Sequence, residues 1–269
     1  MIEENVPAAE YRLRQGLNFS SLNLFFVSPE KYHSLKSVER TETDAMKVGT
    51  ALHTMALEPE KFNERYFCLP EMDRRTKAGK ELYAQIEATN RDKVLLRPDD
   101  FRVVAEAATA IRTNSFANGL LSGAITELTA TWHDAATNLD LKGRIDAYNE
   151  KLRIVVDIKT TTDAGRGFSK IILQRGYHRQ AAFYMDALRA NGRPVEHVVL
   201  IAVEKDPPYS VALYKLCDDT LRLSKAENDA LLKRYAHCLK TDHWPGYTHG
   251  IATISLPNYA MENMEELYG

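Results

Sequence analysis

The stretches GRIDAY at residues 143–148 and IVVDIKTT at residues 154–161 decide the fold of this chain. Both are rich in β-branched and apolar residues, and a polar stretch that begins NEK separates them, so they are expected to form a β-hairpin. The expected turn has two residues, 150–151, which places Asp146 opposite Val155. An odd number of turn residues would flip one strand and bury a carboxylate among aliphatic side chains, so the number is expected to be even.

This pairing predicts one polar and one apolar face. Because side chains alternate along a strand, Asp146, Asp157 and Lys159 are expected to share a face. The opposite face would be almost wholly apolar, with Ile145, Ala147, Ile154, Val156 and Ile158.

The polar face favours a metal site. Two neighbouring aspartates repel each other, and a divalent cation is the usual way in which both remain ionised. Lys159 would lie about 7 Å beyond Asp157 on the same face, where it could hold a phosphate oxygen or act on a water molecule. The alternative is an exposed hairpin with an ordinary ion pair, since Asp-x-Lys is a common tripeptide.

The composition is that of an ordinary globular protein, with 269 residues, of which 44% are hydrophobic and 27% are charged. The three cysteines, Cys68, Cys217 and Cys238, lack CxxC spacing, so the sequence indicates neither a disulfide framework nor a zinc or iron–sulfur site, and a cytoplasmic location is expected. No apolar run approaches the roughly 18 residues of a membrane span. The net charge of −2 argues weakly against nucleic-acid binding, which would need a local basic surface.

Hydrophobic periodicity predicts the remaining elements. Helices are expected at residues 43–57, 76–90, 98–113, 171–191 and 221–241, and strands at 124–133, 139–148, 195–204, 210–216 and, in the tail, 254–256. This order favours a single α/β domain with a central mixed β-sheet flanked by helices. The sequence has no GxxxxGK[ST] phosphate loop, so it does not suggest ATP hydrolysis.

Some polar residues of these helices and strands are candidates for a site. His53 lies four residues after Gly49 on one helix, and the glycine suggests that another group approaches its backbone closely. Gln180 and Tyr184 share a stripe of a later helix and offer groups that hydrogen-bond a phosphate or a water; the alternative is a polar helix edge with a half-buried tyrosine. Glu127, near the start of a strand, is either an outer metal or water ligand or an ordinary strand-end carboxylate.

A basic stretch is also ambiguous. Arg74, Arg75 and Lys77 form either a solvated helix face or a rim that contacts duplex nucleic acid.

In their order and spacing, Gly49 with His53, GRID at 143–146, DIKT at 157–160 and Gln180 with Tyr184 resemble the PD-(D/E)XK nucleases of the RecB-like branch. The segment at residues 19–32 also resembles the N-terminal segment of that branch. Over most of its length the chain resembles the exonuclease VIII (RecE) type of C-terminal nuclease domain. The resemblance implies one restriction-endonuclease-like domain at residues 17–247, preceded by an extension, 1–16, and followed by a tail, 248–269.

The resemblance also implies a role for each residue. The expected ligands of Mg²⁺ or Mn²⁺ are His53, Asp146, Asp157 and the backbone carbonyl of Ile158. Lys159 would orient and activate the attacking water, and Gln180 and Tyr184 would hold the scissile phosphate. Since protonated histidine does not bind metal, the site is expected to be sensitive to mildly acidic pH. Relatives with an iron–sulfur cluster carry cysteine where this chain has Ser28, so no such cluster is expected.

The resemblance implies a Mg²⁺-dependent exodeoxyribonuclease that resects linear double-stranded DNA from 5′ to 3′ and leaves 3′ overhangs for homologous recombination. It further implies a ring-shaped homotetramer around the DNA and a single-strand annealing protein of the RecT type as partner. The alternatives are a single-strand exonuclease or an endonuclease of the same fold, an inactive DNA-binding or recombination scaffold, and a phosphohydrolase acting on small molecules.

Overall fold

The hairpin predicted from the sequence lies at the centre of a six-stranded sheet. The computed structural model describes residues 1–38, 43–248 and 250–257. The strands in these residues are β1 (Ile2–Glu3), β2 (Tyr66–Cys68), β3 (Val94–Leu96), β4 (Ile125–Asp134), β5 (Leu139–Asn149), β6 (Ile154–Thr161), β7 (His197–Glu204) and β8 (Val211–Lys215). The helices are α1 (Ala8–Leu13), α2 (Phe19–Val27), α3 (Pro29–Leu35), α4 (Asp44–Leu57), α5 (Phe62–Arg65), α6 (Lys77–Thr89), α7 (Pro98–Thr113), α8 (Ser115–Leu121), α9 (Phe168–Arg175), α10 (Tyr177–Ala190) and α11 (Asp218–Thr241).

The main sheet has the strand order β1-β4-β5-β6-β7-β8. The β6–β7 pair is parallel and the other neighbours are antiparallel, so the predicted mixed sheet is confirmed. Helices α9 and α10 make the crossover that a parallel pair requires. One side of the sheet is covered by a core to which α2, α10 and α11 contribute, and the other by a core that contains residues of α4, α7 and α8. The expected central sheet with flanking helices is thus observed.

The β5–β6 hairpin has a longer turn than predicted. Asn149 pairs with Ile154 and Ala147 with Val156, which leaves residues 150–153 in the loop. The predicted two-residue turn was wrong by two residues, but the loop length is even, as the burial argument required. The side chain of Asn149 explains the difference, because its Oδ1 accepts the N–H of Leu152 at 3.1 Å and so fixes a wider turn.

The predicted apolar face of the hairpin is wrong at Ile145. Ala147, Val156 and Ile158 belong to the core cluster on the α4 side, as expected, whereas Ile145 belongs to the cluster on the α10 side. The alternation breaks between the pairs Leu128–Ile145 and Thr126–Ala147, where Glu127 has a φ of +52°. A non-glycine residue in this left-handed region turns the strand locally, so successive side chains no longer alternate regularly.

Two further elements differ from the predictions. The helix expected at residues 171–191 is two helices, α9 and α10, separated by Gly176 at a φ of +71°. This left-handed conformation ends α9 and lets α10 begin in a new direction, which glycine permits at low cost. The strand expected at 254–256 is absent, since residues 251–257 are described without secondary structure. Residues 258–269 of the predicted tail lie outside the described residues.

Residues 1–16 pack against the sheet. Strand β1 pairs with β4, and the buried ammonium of Lys142 on β5 donates to the backbone carbonyls of Tyr11 at 3.0 Å, Arg12 at 3.2 Å and Arg14. These carbonyls lie at the C-terminal end of α1, where a helix has unpaired acceptors and favours a positive charge. The expected extension is therefore tied to the domain whose start was placed at residue 17.

A buried carboxylate ends α4. The side chain of Glu58 is 3% exposed and forms ion pairs with Lys61 and, at 2.8 Å, with Arg65. Burial alone raises the pKa of Glu58, but the two cations outweigh that effect, so its pKa lies below the usual value.

No helix among the described residues is both long and apolar enough to span a bilayer.

Candidate active site

A cleft of about 1040 Å³ opens where strands β5 and β6 separate. Their ladder has three residue pairs and ends at Ala147–Val156, although β6 continues to Thr161 alongside β7. The ends of strands freed in this way present polar side chains to the gap. The cleft is lined by residues from α1, α4, α9 and the strands, among them His53, Glu127, Asp146 and Lys159.

Three of the candidate ligands lie together in this cleft. One ligand atom from each of His53, Glu127 and Asp146 lies within 4.8 Å of the others. His53 Nδ1 is 3.3 Å from Asp146 Oδ2, and the same oxygen accepts the backbone N–H of Ile158 at 2.8 Å. Helix α4 and the irregular part of the β4–β5 pair thus bring a nitrogen and two carboxylates to one point.

No described residue makes the close approach to Gly49 that was predicted. A Cβ built on Gly49 would meet Thr160 Oγ1 at 4.0 Å, an ordinary van der Waals distance. His53 is nevertheless where the helical pattern predicted, on the face of α4 that looks into the cleft.

A second group of polar side chains lies beside the first, on β6 and α10. Lys159 Nζ lies 2.6 Å from Asp157 Oδ2 and donates to Gln180 Oε1 at 2.9 Å. Gln180 Nε2 in turn donates to the hydroxyl of Tyr184 at 2.8 Å. The ammonium also lies 4.6 Å from the ring centroid of Tyr177. These contacts hold the lysine in one orientation.

Asp157 has the most deeply buried polar side chain of the predicted site residues. It is 1% exposed, and neither carboxylate oxygen has a hydrogen-bond partner of good geometry among the described residues. Burial raises the pKa of Asp157, Lys159 opposes this and Asp146 adds to it, and the result is about 7. The Lys159 ammonium offsets only part of the cost of burying this carboxylate, so a divalent cation beside it would favour its ionised form further.

The pKa values of the other ionisable groups of the site are likewise set by burial and by the charges of their neighbours. Burial lowers the pKa of His53, but Asp146 and Glu127 outweigh it and raise the value to about 9. Burial alone raises the pKa of Asp146, whereas His53 and Lys159 bring it well below its usual range. Burial and Asp146 together raise the pKa of Glu127. Burial lowers the pKa of Lys159, and the carboxylates of Asp157 and Asp146 more than reverse this.

This donor set fits a divalent cation. Carboxylate oxygens suit Mg²⁺ and Mn²⁺, and a neutral imidazole is a suitable nitrogen ligand for the latter. The carboxylate of Asp157, which is paired with Lys159, lies on β6 next to the strand that bears Asp146. Of the predicted ligands, His53 and Asp146 form the cluster together with Glu127. Ile158 contributes its N–H to Asp146, and its side chain is buried in the core.

The structure separates the other candidates by their access to the cleft. Tyr184 is 7% exposed and, like Gln180, lies behind Lys159 rather than in the cleft wall. Arg74, Arg75 and Lys77 do not line the cleft, and the Arg74 guanidinium lies 3.8 Å from the ring centroid of Tyr83.

Sequence reasoning missed several residues of the cleft wall. Tyr11 and Arg12 come from the N-terminal segment, which shows no pattern, and Arg144 was named only as part of the GRID motif. Arg144 forms an ion pair with Glu127, and its guanidinium lies 6.0 Å from the ring centroid of Tyr11. A basic residue two positions before Asp146 on the same strand was the one available signal.

A solved structure agrees with this fold. The crystal structure of an exonuclease candidate from Eubacterium rectale is similar over 99% of this chain and 100% of that chain, with a TM-score of 0.66 and 12% sequence identity. A phage-related exonuclease from Haemophilus somnus covers 86% of this chain and 98% of its own, with a TM-score of 0.38 and 15% identity. None of the curated proteins with which the sequence was compared matches it.

The sequence also matches a family model over most of its length. The model described as a PDDEXK-like domain of unknown function (DUF3799) matches residues 19–257, which include every predicted site residue. The chain belongs to this PDDEXK-like family.

Proposed function

We propose that this protein is a divalent-metal-dependent exodeoxyribonuclease that resects linear double-stranded DNA from 5′ to 3′ and leaves 3′ overhangs for homologous recombination. The observation that carries the proposal is that the His53–Glu127–Asp146 cluster and the Lys159 ammonium line one cleft, with the buried carboxylate of Asp157 directly behind Lys159 as its ion-pair partner. Membership in the PDDEXK-like family supports a nuclease, and the similar fold named as an exonuclease candidate supports attack from an end.

The proposed chemistry needs a divalent ion, Mg²⁺ or Mn²⁺, held by His53, Asp146 and Asp157, with Glu127 and the carbonyl of Ile158 as further oxygen donors. When bound, such an ion supplies positive charge against the developing charge of the phosphoryl oxygens and makes water acidic enough to react near neutral pH. The proposal includes no iron–sulfur cluster.

The chain's own residues orient the reaction. Lys159 presents a fixed ammonium beside the site, where it is proposed to hold the attacking water and a phosphate oxygen. Gln180 accepts from Lys159 and donates to Tyr184, so it fixes the direction of the ammonium. Tyr184 supports Gln180 from behind Lys159, so its proposed part in holding the scissile phosphate is through this Gln180–Lys159 pair.

The proposal extends to the assembly and its surroundings. The exonuclease VIII (RecE) resemblance supports a ring-shaped homotetramer that keeps DNA in a central channel, a RecT-type annealing protein that receives the 3′ strand, and action in the cytoplasm. A ring would explain persistence on DNA at a net charge of −2, because closure rather than net affinity retains the enzyme.

The test is degradation of a 5′-labelled linear duplex with Mg²⁺, beside a nicked circle and a closed circle. The Lys159→Ala variant is compared with Lys151→Ala, in which an exposed lysine of the β5–β6 loop is changed. We expect release of label from the linear duplex by the wild type and by Lys151→Ala, and loss of this release in Lys159→Ala. Cleavage of the closed circle would overturn the exonuclease, and DNA binding without any cleavage would favour an inactive scaffold.

A further inference from the structure

The cleft is lined by more cationic side chains than the one, Lys159, that has a proposed catalytic role. Six lysine and arginine side chains line it. Three of them are paired with carboxylates: Arg65 with Glu58, Arg144 with Glu127, and Lys159 with Asp157. The other three, Arg12, Arg175 and Lys205, have no carboxylate within ion-pair distance among the described residues.

These three cations come from separate elements that contact the site. Arg12 lies near the end of α1, which Lys142 ties to β5, four residues before Asp146. Arg175 ends α9, two residues before Tyr177, whose ring contacts the Lys159 ammonium.

Lys205 follows β7, and its backbone N–H donates to the carbonyl of Thr161 at 3.2 Å. Lys159 pairs with Ala202 in the register of β6 and β7. Lys205 is three residues beyond Ala202, so its backbone lies about 10 Å along the strand from the position of Lys159. A duplex rises about 3.4 Å for each nucleotide of one strand, so this offset corresponds to about three nucleotides.

We propose that Arg12, Arg175 and Lys205 form a phosphate-binding rim that holds the sugar–phosphate backbone of the DNA away from the scissile bond. The proposal rests on the proposed nuclease function and adds to it the residues that bind the substrate. Unpaired guanidinium and ammonium groups at a cleft edge are ordinary ligands for phosphate. They lie outside the metal cluster, so their contribution belongs to affinity rather than to the chemical step.

The test separates binding from cleavage. Binding of a linear duplex is measured in EDTA over a series of salt concentrations, where no DNA is degraded and no divalent ion contributes. The variants are Arg12→Gln, Arg175→Gln, Lys205→Gln and their combination. The control is Lys233→Gln, which changes an exposed lysine of α11 outside the cleft.

We expect each single variant to bind DNA about tenfold more weakly at low salt and to reduce the salt dependence, d log K/d log [salt], by about 0.9. The triple variant should reduce this slope by about 2.7. In steady-state cleavage with Mg²⁺, the KM of the triple variant should rise at least tenfold while kcat at saturating DNA stays within about twofold of the wild type.

The outcomes distinguish this inference from the function on which it rests. If the wild type cleaves DNA and the triple variant keeps the slope and KM of Lys233→Gln, the rim is refuted and the nuclease stands. A triple variant that loses kcat at unchanged KM also refutes the rim. If the wild type neither binds nor cleaves DNA, the proposed function fails and the rim with it.

Discussion

Before a divalent ion binds, His53 and Asp157 carry protons that the ion must displace. The pKa values of these two side chains determine how many protons are released. With a pKa of about 9, His53 is protonated in about 99% of molecules at pH 7. With a pKa of about 7, Asp157 is protonated in about half. An ion bound by both side chains should therefore release about 1.5 protons at pH 7, falling to about 0.5 at pH 9.

This release also fixes the direction of the pH dependence. Protons and metal compete for the same two side chains, so the apparent metal affinity should rise with pH and weaken as the solution becomes acidic. The slope of log K against pH equals the number of protons released, so K should rise by more than tenfold between pH 6.5 and 7.5.

Calorimetric titration with Mn²⁺ or Mg²⁺ in two buffers of different ionisation enthalpy measures the number directly. The wild type should release about 1.5 protons at pH 7, and His53→Asn about one fewer. His237→Asn, which changes an exposed histidine of α11 outside the cleft, serves as the control and should match the wild type. Binding without proton release, or with the same release in His53→Asn, would refute the reasoning about this ligand set.

Three predictions concern the scaffold. Lys142→Met removes a charged donor from three backbone carbonyls, so it should lower the free energy of unfolding by about 1–3 kcal/mol and speed hydrogen exchange in residues 1–14. The control Lys151→Met should do neither. Glu58→Gln should destabilise at pH 7 by about 1–3 kcal/mol; since the folded pKa is depressed, this difference should vanish in urea titrations as the pH falls through about 4 and below. Gly176→Ala should lower the melting temperature and kcat together, because the backbone has a φ of +71° and a Cβ would lie 2.8 Å from the Arg179 side chain, whereas Gly119→Ala in α8 has no neighbour within 4 Å and should be neutral or slightly stabilising.

Local pattern predicted the parts of the fold that local forces decide. Helix α7 begins and ends where periodicity placed it, at 98–113, because Pro98 begins it and its apolar stripe faces the sheet. Burial alone predicted that the β5–β6 loop has an even number of residues. It also predicted that Asp157 and Lys159 lie on one side of β6. The exact loop length could not be predicted, because the wider turn is stabilised by a hydrogen bond from the Leu152 N–H to the Asn149 side chain.

The candidate site was predictable to the same extent. The order of short motifs indicated His53, Asp146 and Lys159, and each lines the cleft. The local break in alternation at Glu127 was not predictable, because the left-handed backbone of a glutamate is imposed by its surroundings and leaves no mark in the sequence. The contribution of the first 16 residues was missed for a similar reason, since Lys142 holds them from more than 120 residues away along the chain.

Under the proposed function the net charge is a poor guide to DNA binding, and the cleft offers a reason. A value of −2 sums over the whole chain, whereas a bound strand meets the charges of one surface. In the cleft, three cations are neutralised by carboxylates and three are not, and the remaining acid cluster is the place where a divalent ion fits. Once Asp146 faces such an ion or a protonated His53, its own charge is offset as well. The cleft, where the proposal places the DNA backbone, is therefore positive, although the protein as a whole is negative.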